Sequence, residues 1–447
     1  MSVRWPIVFA GMALALSLFA QDVSVTVYTQ NQAVVRDVRK MEIAKGVSTI
    51  SFKEVSAVLD PTSVHLKSLS EPEKLRILEQ NFEYDLANPQ AILNKYIDRE
   101  IQVLTKTNET YSGRLLSAGG DIVIEDKATG GIKIIQQEAI QHFDFPKLPE
   151  GLITRPTLVW LVENQGSPSH EVEVSYITGG MNWHAEYVGV ISPDEKYIDL
   201  SGWVSIDNRS GISYPHAKLK LVAGDLHLVQ PKALPMATER EALAIQAVAP
   251  EFEEKSFFEY HLYTLQRRTT LQNNQTKQIA LFPPARTSGE KKFFLESQEK
   301  KVKVYVEFKN SKKEGLGLPL PKGKVRIYKQ DTDNALKFIG EDAIEHTPVD
   351  EKVKLFLGYA FDLTGERIEK ESKKLDDRAL QKTMEIHFRN HKTETVQITA
   401  QERFWGDWKI QSTSHPYVKK DAYTAEFTIE IPSDQEVVLT YTCIIKW

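Results

Sequence analysis

Residues 315–325 read GLGLPLPKGKV, and two readings of them lead to different folds. A glycine-rich stretch closing on Gly-Lys resembles a phosphate-cradling loop in an α/β protein. Glycines and prolines running into Val325 also describe the entrance to a β-hairpin. The phosphate loop needs G-x-x-x-x-G-K and then Ser or Thr, so that backbone N–H groups wrap the phosphates and the hydroxyl holds a metal. With Gly323-Lys324 at its end, the first glycine falls on Leu318, and Val325 stands in place of the hydroxyl. Pro319 and Pro321 have no N–H to offer, and no helical pattern follows. Beyond the stretch, Val325 and Ile327 alternate with Arg326 and Tyr328, and a turn at 331–334 returns the chain through Leu336 and Phe338. The stretch is a hairpin entrance, and the expected fold is all-β.

The same period of two recurs in both directions. VSVTVYT (23–29) sets Val23, Val25 and Val27 against polar neighbours, the pattern of a half-buried strand. AVVRDVRKMEI, VSTISF and TSVHLKSL continue it as an N-terminal β segment over 21–87. In residues 88–147, Asn88 and Pro89 start a short helix. Five short strands with Gly-Gly turns follow, and we expect a small SH3- or Sm-like barrel there. TLVWLVEN, HEVEVSYIT, NWHAEYVGVI and YIDLSGWVSIDN mark a sandwich region at 148–229. Residues 230–255 are rich in Pro and Ala, lack both periods, and read as a linker or mobile segment. Some ten strands follow over 256–447, ending in QEVVLTYTCIIKW. The architecture expected is tandem β-sandwich domains with the small barrel inserted near the N-terminal part.

Of the 447 residues, 41% are hydrophobic and 26% charged, and the net charge is only −5. That balance implies no strong field toward nucleic acid or anionic membranes. Residues 1–20 carry Arg4 and then an uncharged apolar run, about 14 residues where a membrane helix needs about 20. They read as a signal peptide cut after Ala20, which places the mature chain in the periplasm or cell envelope without an integral span. Cys443, the single cysteine, excludes an internal disulfide and reads as an inert buried strand residue.

Several segments together carry a resemblance: DVSVTVYTQNQAVVRDVRKMEIAKGVSTISF, RPTLVWLVEN, SYITGGMNWHAEYV, GWVSIDNRSGISYPHAKLKLVAGDL and LPKGKVRIYKQDTDNALKFIGEDAIEHTP. In their succession the chain resembles the domain of unknown function 4139 family, which includes mucoidy-inhibitor-like proteins. The resemblance covers most of the mature chain and implies an exported or envelope-associated, β-rich protein. It brings no catalytic signature. Where many members continue into a long coiled coil, this chain has the small barrel-like unit, so a partner of such a coil is not implied.

Motifs with chemistry are scarce. Asp331, Asp333 and Asp342 imitate a calcium loop, but Ala335 and Leu336 stand where an oxygen ligand and a glycine belong; a hairpin turn explains them. His387 and His391 are four apart, about 13 Å along a strand, too far for one metal unless a turn intervenes. There is no H-E-x-x-H and no G-x-S-x-G. No catalytic residue, cofactor or metal is assigned. Of the tryptophans, Trp160, Trp183 and Trp203 read as core. In RFWGDWK (403–409), the turn at Gly406-Asp407 leaves Arg403, Trp405 and Trp408 as a candidate surface for an envelope protein or a glycan.

Three functions compete. The first is a non-enzymatic exported envelope protein acting as an interaction or assembly module. The second is an envelope hydrolase, metal-dependent or not, whose site forms between domains. The third is an outer-membrane β-barrel component, suggested by Leu439, Tyr441, Cys443, Ile445 and Trp447 alternating to a terminal aromatic.

Overall fold

The structure is a computed structural model that describes residues 22–149, 152–224, 252–297, 299–331 and 333–447. The signal peptide expected at 1–20 and most of the linker expected at 230–255 lie outside the described residues, while 252–255 open a strand. Among the described residues one seven-residue helix and three 3₁₀ turns accompany the strands, and the fold is all-β.

The first five strands are β1 (Asp22–Tyr28), β2 (Gln32–Glu42), β3 (Gly46–Lys53), β4 (His65–Ser68) and β5 (Leu75–Glu83). In β1 the alternation read from sequence becomes alternation of burial, with Val23, Val25 and Val27 inside. Helix α1 (Pro89–Lys95) starts where Asn88 accepts the Ala91 N–H at 2.9 Å. It covers β6 (Glu100–Thr105), β7 (Thr110–Ser117), β8 (Ile122–Asp126), β9 (Ile132–Ile135) and β10 (Ile140–Asp144). These pair antiparallel in the order β10-β6-β7-β8-β9 around Val103, Leu115 and Ile124. β9 and β10 are its two edges and do not pair with each other, so backbone pairing does not close the small barrel expected here.

Next come β11 (Thr157–Asn164), β12 (Ser169–Gly179), β13 (Met181–Ile191), β14 (Tyr197–Asn208) and β15 (Tyr214–Ala223), then β16 (Phe252–Phe257), β17 (Tyr260–Leu265) and β18 (Thr269–Leu271). Strand β1 lies parallel to β15, with Val25 opposite Leu219, and antiparallel to β2. One sheet therefore runs β16-β17-β15-β1-β2-β12-β4, with β18 on β15, while β3-β11-β5 forms a second. Segments far apart in sequence thus share a core that includes Phe52, Trp160, Trp183 and Tyr187. The two buried indoles each find an acceptor, Trp160 in Gln80 Oε1 at 2.8 Å and Trp183 in the Val222 carbonyl at 3.1 Å. That satisfaction is what makes burying an indole N–H tolerable.

The remaining strands are β19 (Gln275–Glu296), β20 (Lys301–Lys309), β21 (Gly323–Gln330), β22 (Leu336–Ile344), β23 (Lys352–Asp376), β24 (Ala379–Asn390), β25 (Val396–Arg403), β26 (Asp407–Thr413), β27 (Tyr417–Lys419), β28 (Thr424–Ile431) and β29 (Gln435–Lys446). With β13 and β14 they make a 13-stranded sheet ordered β22-β21-β13-β14-β19-β20-β23-β24-β29-β26, with β25, β27 and β28 branching from β19. Three strands, β19, β20 and β23, span both large cores. β19 gives Ile279, Leu281 and Phe282 to the first and Phe293 and Leu295 to the second; β23 divides its residues likewise. Pro283 and Pro284 lack the N–H a ladder needs, and the β14–β19 register slips beside them.

The opening stretch sits where its hairpin reading puts it, leading into β21, which pairs antiparallel with β22. Gly315 and Gly317 have φ of +96° and +81°. Tyr187 donates its hydroxyl hydrogen to the Pro321 carbonyl at 2.7 Å, and Tyr263 to that of Pro319 at 3.0 Å. The prolines that deny a phosphate their N–H groups serve as acceptors that tie the loop to the core.

At one end the large sheet curls until β22 approaches β23. The Asp342 carboxylate accepts the Phe356 N–H at 2.7 Å, but no ladder joins the two strands. No sheet among the described residues closes by backbone pairing. In β29, Leu439, Tyr441, Cys443 and Ile445 face the second core, so that core accounts for the alternation that suggested a membrane barrel.

Candidate functional site

The turn between β25 and β26 separates the three residues singled out in its sequence. Gly406 holds φ +75°, and a Cβ there would fall 2.2 Å from the Lys446 carbonyl oxygen. The tight turn sends the two tryptophans to opposite sides. Trp408 is 6% exposed; its Nε1–H donates to the Ala422 carbonyl at 2.7 Å and its ring stacks on Phe404 with centroids 4.5 Å apart. It is a core residue. Trp405 stays 53% exposed, and Arg403 is exposed at the end of β25.

Trp405 has an aromatic neighbour that sequence reading placed elsewhere. Trp447, 52% exposed, lies with its ring centroid 4.7 Å from that of Trp405, the planes inclined at 48°. Its backbone N–H donates to the Arg378 carbonyl at 3.1 Å, fixing the chain beyond β29 against the β23–β24 turn. The two rings form one apolar surface. Only pairing of β26 with β29 brings them together, so no local signal could have found the pair.

A second run of aromatic rings crosses β19, β20 and β23, from buried Phe294 to exposed Tyr359. Phe294, Tyr305, Phe356 and Tyr359 follow one another with centroids 5.3, 5.5 and 5.4 Å apart. Lys354 holds its ammonium 3.6 Å above Phe294 and 4.1 Å above Tyr305, and burial among the rings lowers its pKa. Lys303 pairs with Glu296 at 2.6 Å, so acids balance part of the charge. Phe361 of β23 is 96% exposed, and exposed Phe338 of β22 packs edge-on against Tyr328 of β21.

The polar groups make less of a site. Ser205 donates to Glu186 Oε2 at 2.7 Å, while His184 Nε2 is 3.9 Å from Glu186 Oε1. The serine hydrogen goes to the carboxylate, so the imidazole is not its base. Burial opposes ionisation of Glu186, yet Ser205, His184 and Arg326 together hold its pKa below the usual range. His387 pairs with Glu436 at 2.6 Å. Among the described residues no three His, Cys, Asp or Glu side chains are grouped to hold a metal ion. Burial pushes the Cys443 thiol up to about 11, far from a reactive thiolate.

No family model matches this chain, and no curated protein matches it.

Proposed function

We propose that this chain is a non-enzymatic, exported envelope protein whose β-sheets serve as an interaction or assembly module, of the kind its resemblance to the domain of unknown function 4139 family implies. The observation that carries the reading is the exposed pair Trp405 and Trp447. Large aromatic rings already packed against each other before a partner arrives lose less side-chain freedom on binding, which makes them strong anchors. The adjoining strands, β26 and β29, pair with each other in a sheet whose longest members span two cores, and that pairing sets the two rings side by side.

The partner class proposed is an envelope protein, with a glycan as the second reading because paired indole faces also suit sugar rings. Trp405→Ala and wild type, each carrying a photo-reactive group at Arg403, separate these in envelope extracts. A reproducible protein adduct that weakens in Trp405→Ala supports the first reading. Co-sedimentation with purified cell-wall glycan, lost in the same variant, supports the second. Absence of both results removes the interaction module reading.

A further inference from the structure

Three strands of the large sheet end on a buried asparagine: Asn208 closes β14, Asn310 follows β20 and Asn390 closes β24. Two places before each stands a buried apolar residue, Ile206, Phe308 or Phe388, and four places before another, Val204, Val306 or Ile386. Each strand pairs antiparallel with a later one, β19, β23 or β29, and the register is the same. Ile206 faces Lys277, Phe308 faces Val353 and Phe388 faces Val437. Three residues before those partners the backbone is left-handed, at Asn274 with φ +56°, Asp350 with +68° and Asp434 with +51°.

The asparagine amide ties that left-handed turn to the strand end. Its Nδ2–H group donates to the carbonyl three residues before the left-handed position, Leu271 at 3.2 Å, Thr347 at 3.5 Å and Ile431 at 3.1 Å. Asn310 and Asn390 also reach the Pro348 and Pro432 carbonyls, at 2.9 and 3.0 Å. A further bond runs to a carbonyl just downstream, Ile212 at 2.9 Å, Leu318 at 2.7 Å and Glu394 at 2.8 Å. Oδ1 in turn accepts the N–H of Ser210, Gly317 or Lys392. A carboxylate has no hydrogen for the carbonyls gathered there, so the position demands an amide.

Between the two paired strands, the chain lays down others that pair with each other, β15 with β17 and β18, β21 with β22, and β25 with β28. The residues agree with the geometry. Pro348, Asp350, Val353 and Leu355 have the spacing of Pro432, Asp434, Val437 and Leu439, and Phe308, Asn310 and Lys312 that of Phe388, Asn390 and Lys392.

We infer that residues 197–446 hold three tandem copies of one four-strand unit, locked by the asparagine corner. Asn164 makes similar bonds to the Ile43 and Ser167 carbonyls, but its partner strand β3 precedes it in the chain, so it stands outside the tandem order. The copies differ in the connection between their second and third strands. In the second copy this is the short turn between β21 and β22; in the third, residues 404–423 add β26 and β27 and bring Trp405. The aromatic surface, which rests on the interaction-module reading, is an addition carried by the third copy and no part of the repeated frame.

Asn208→Asp, Asn310→Asp and Asn390→Asp probe the three corners, with the exposed turn residue Asn334 changed to Asp as control. Each corner variant should melt about 5 °C or more below wild type at neutral pH. The gap should narrow toward about pH 5, where protonating a buried carboxyl restores one donor; Asn334→Asp should show neither effect. Asn274→Gly, Asp350→Gly and Asp434→Gly should all keep the wild-type melting temperature, since glycine adopts the left-handed backbone freely. A corner asparagine that behaves like Asn334, or one glycine variant that melts low while the others hold, overturns the equivalence of the copies. For the addition, a protease site introduced at 414–416 and cut should leave the far-ultraviolet circular dichroism and the melting temperature unchanged. Unfolding on cutting would make β26 and β27 part of the frame. None of these readouts involves a partner, so they stand whether or not cross-linking at Arg403 captures one.

Discussion

Arg367 of β23 and Glu402 of β25 meet at 2.8 Å, with side chains only 12% and 6% exposed. Tyr441 of β29 donates its hydroxyl hydrogen to the second carboxylate oxygen at 2.9 Å, and Arg367 also reaches the Glu299 and Leu295 carbonyls. A charge buried this way is tolerated because every polar atom near it is answered. Removing one partner leaves the other charge without compensation inside the second core. Arg367→Ala is expected to cost about 3–5 kcal/mol, and Tyr441→Phe, which removes one hydrogen bond to the buried carboxylate, about 1.5–3 kcal/mol. Urea titration followed by circular dichroism checks both, and equal costs would contradict this account.

The two tryptophans of the β25–β26 turn should separate stability from binding. Trp408→Ala empties a filled core position and should cost about 3–5 kcal/mol. Trp405→Ala changes an exposed ring and should stay within about 0.5 kcal/mol of wild type. Thermal unfolding of the two variants side by side measures the difference.

Gly202 of β14 lies under the ring of Phe282, and a Cβ there would sit 2.4 Å from the ring edge. Gly315 combines φ +96° with a backbone obstacle, the Arg286 carbonyl oxygen at 2.0 Å from the added carbon. A ring can tilt; a carbonyl in a strand cannot do so cheaply. Gly202→Ala should cost about 1–3 kcal/mol, and Gly315→Ala more than Gly202→Ala. Comparison of their melting temperatures decides the order.

Asp126, at the end of β8, accepts from Lys133, the Thr129 hydroxyl and the Thr129 N–H, and in that order they hold its pKa down to about 2. An unfolded aspartate titrates near about 4. The contribution is therefore complete above about pH 4 and lost as pH falls through about 2. Asp126→Asn should melt lower than wild type at pH 6, with the gap closing by pH 2. A gap independent of pH would assign the residue a purely steric role.

Cys443 is 1% exposed, and its thiol is held in the neutral form by burial. A disulfide reagent at pH 8 should react with the native chain only at the rate of unfolding, and at once in denaturant. Fast reaction of the native protein would place the thiol at the surface.

The strands were legible because burial on one face imposes a period of two on the residues themselves. Val23, Val25 and Val27 needed no knowledge of their partners, nor did Asn88 and Pro89 at the start of α1. The hairpin at 323–344 was equally plain, since Pro319, Pro321 and Val325 fail the phosphate loop on covalent grounds. Trp408 was less so. Its alternation matches that of an exposed strand residue as well as a buried one, and the turn at Gly406 decides which side it takes.

By itself, then, the sequence determined that this chain is built from strands, where they turn, and that its lone cysteine makes no internal disulfide. Those properties are local: they follow from backbone sterics, side-chain period and a count of residues. Tertiary structure alone decided that β1 lies against β15, that Trp405 meets Trp447, and that Arg367 answers Glu402. Each of these depends on which strand edges meet. Backbone hydrogen bonds are alike along every edge, so that choice rests on how whole sheet faces pack together.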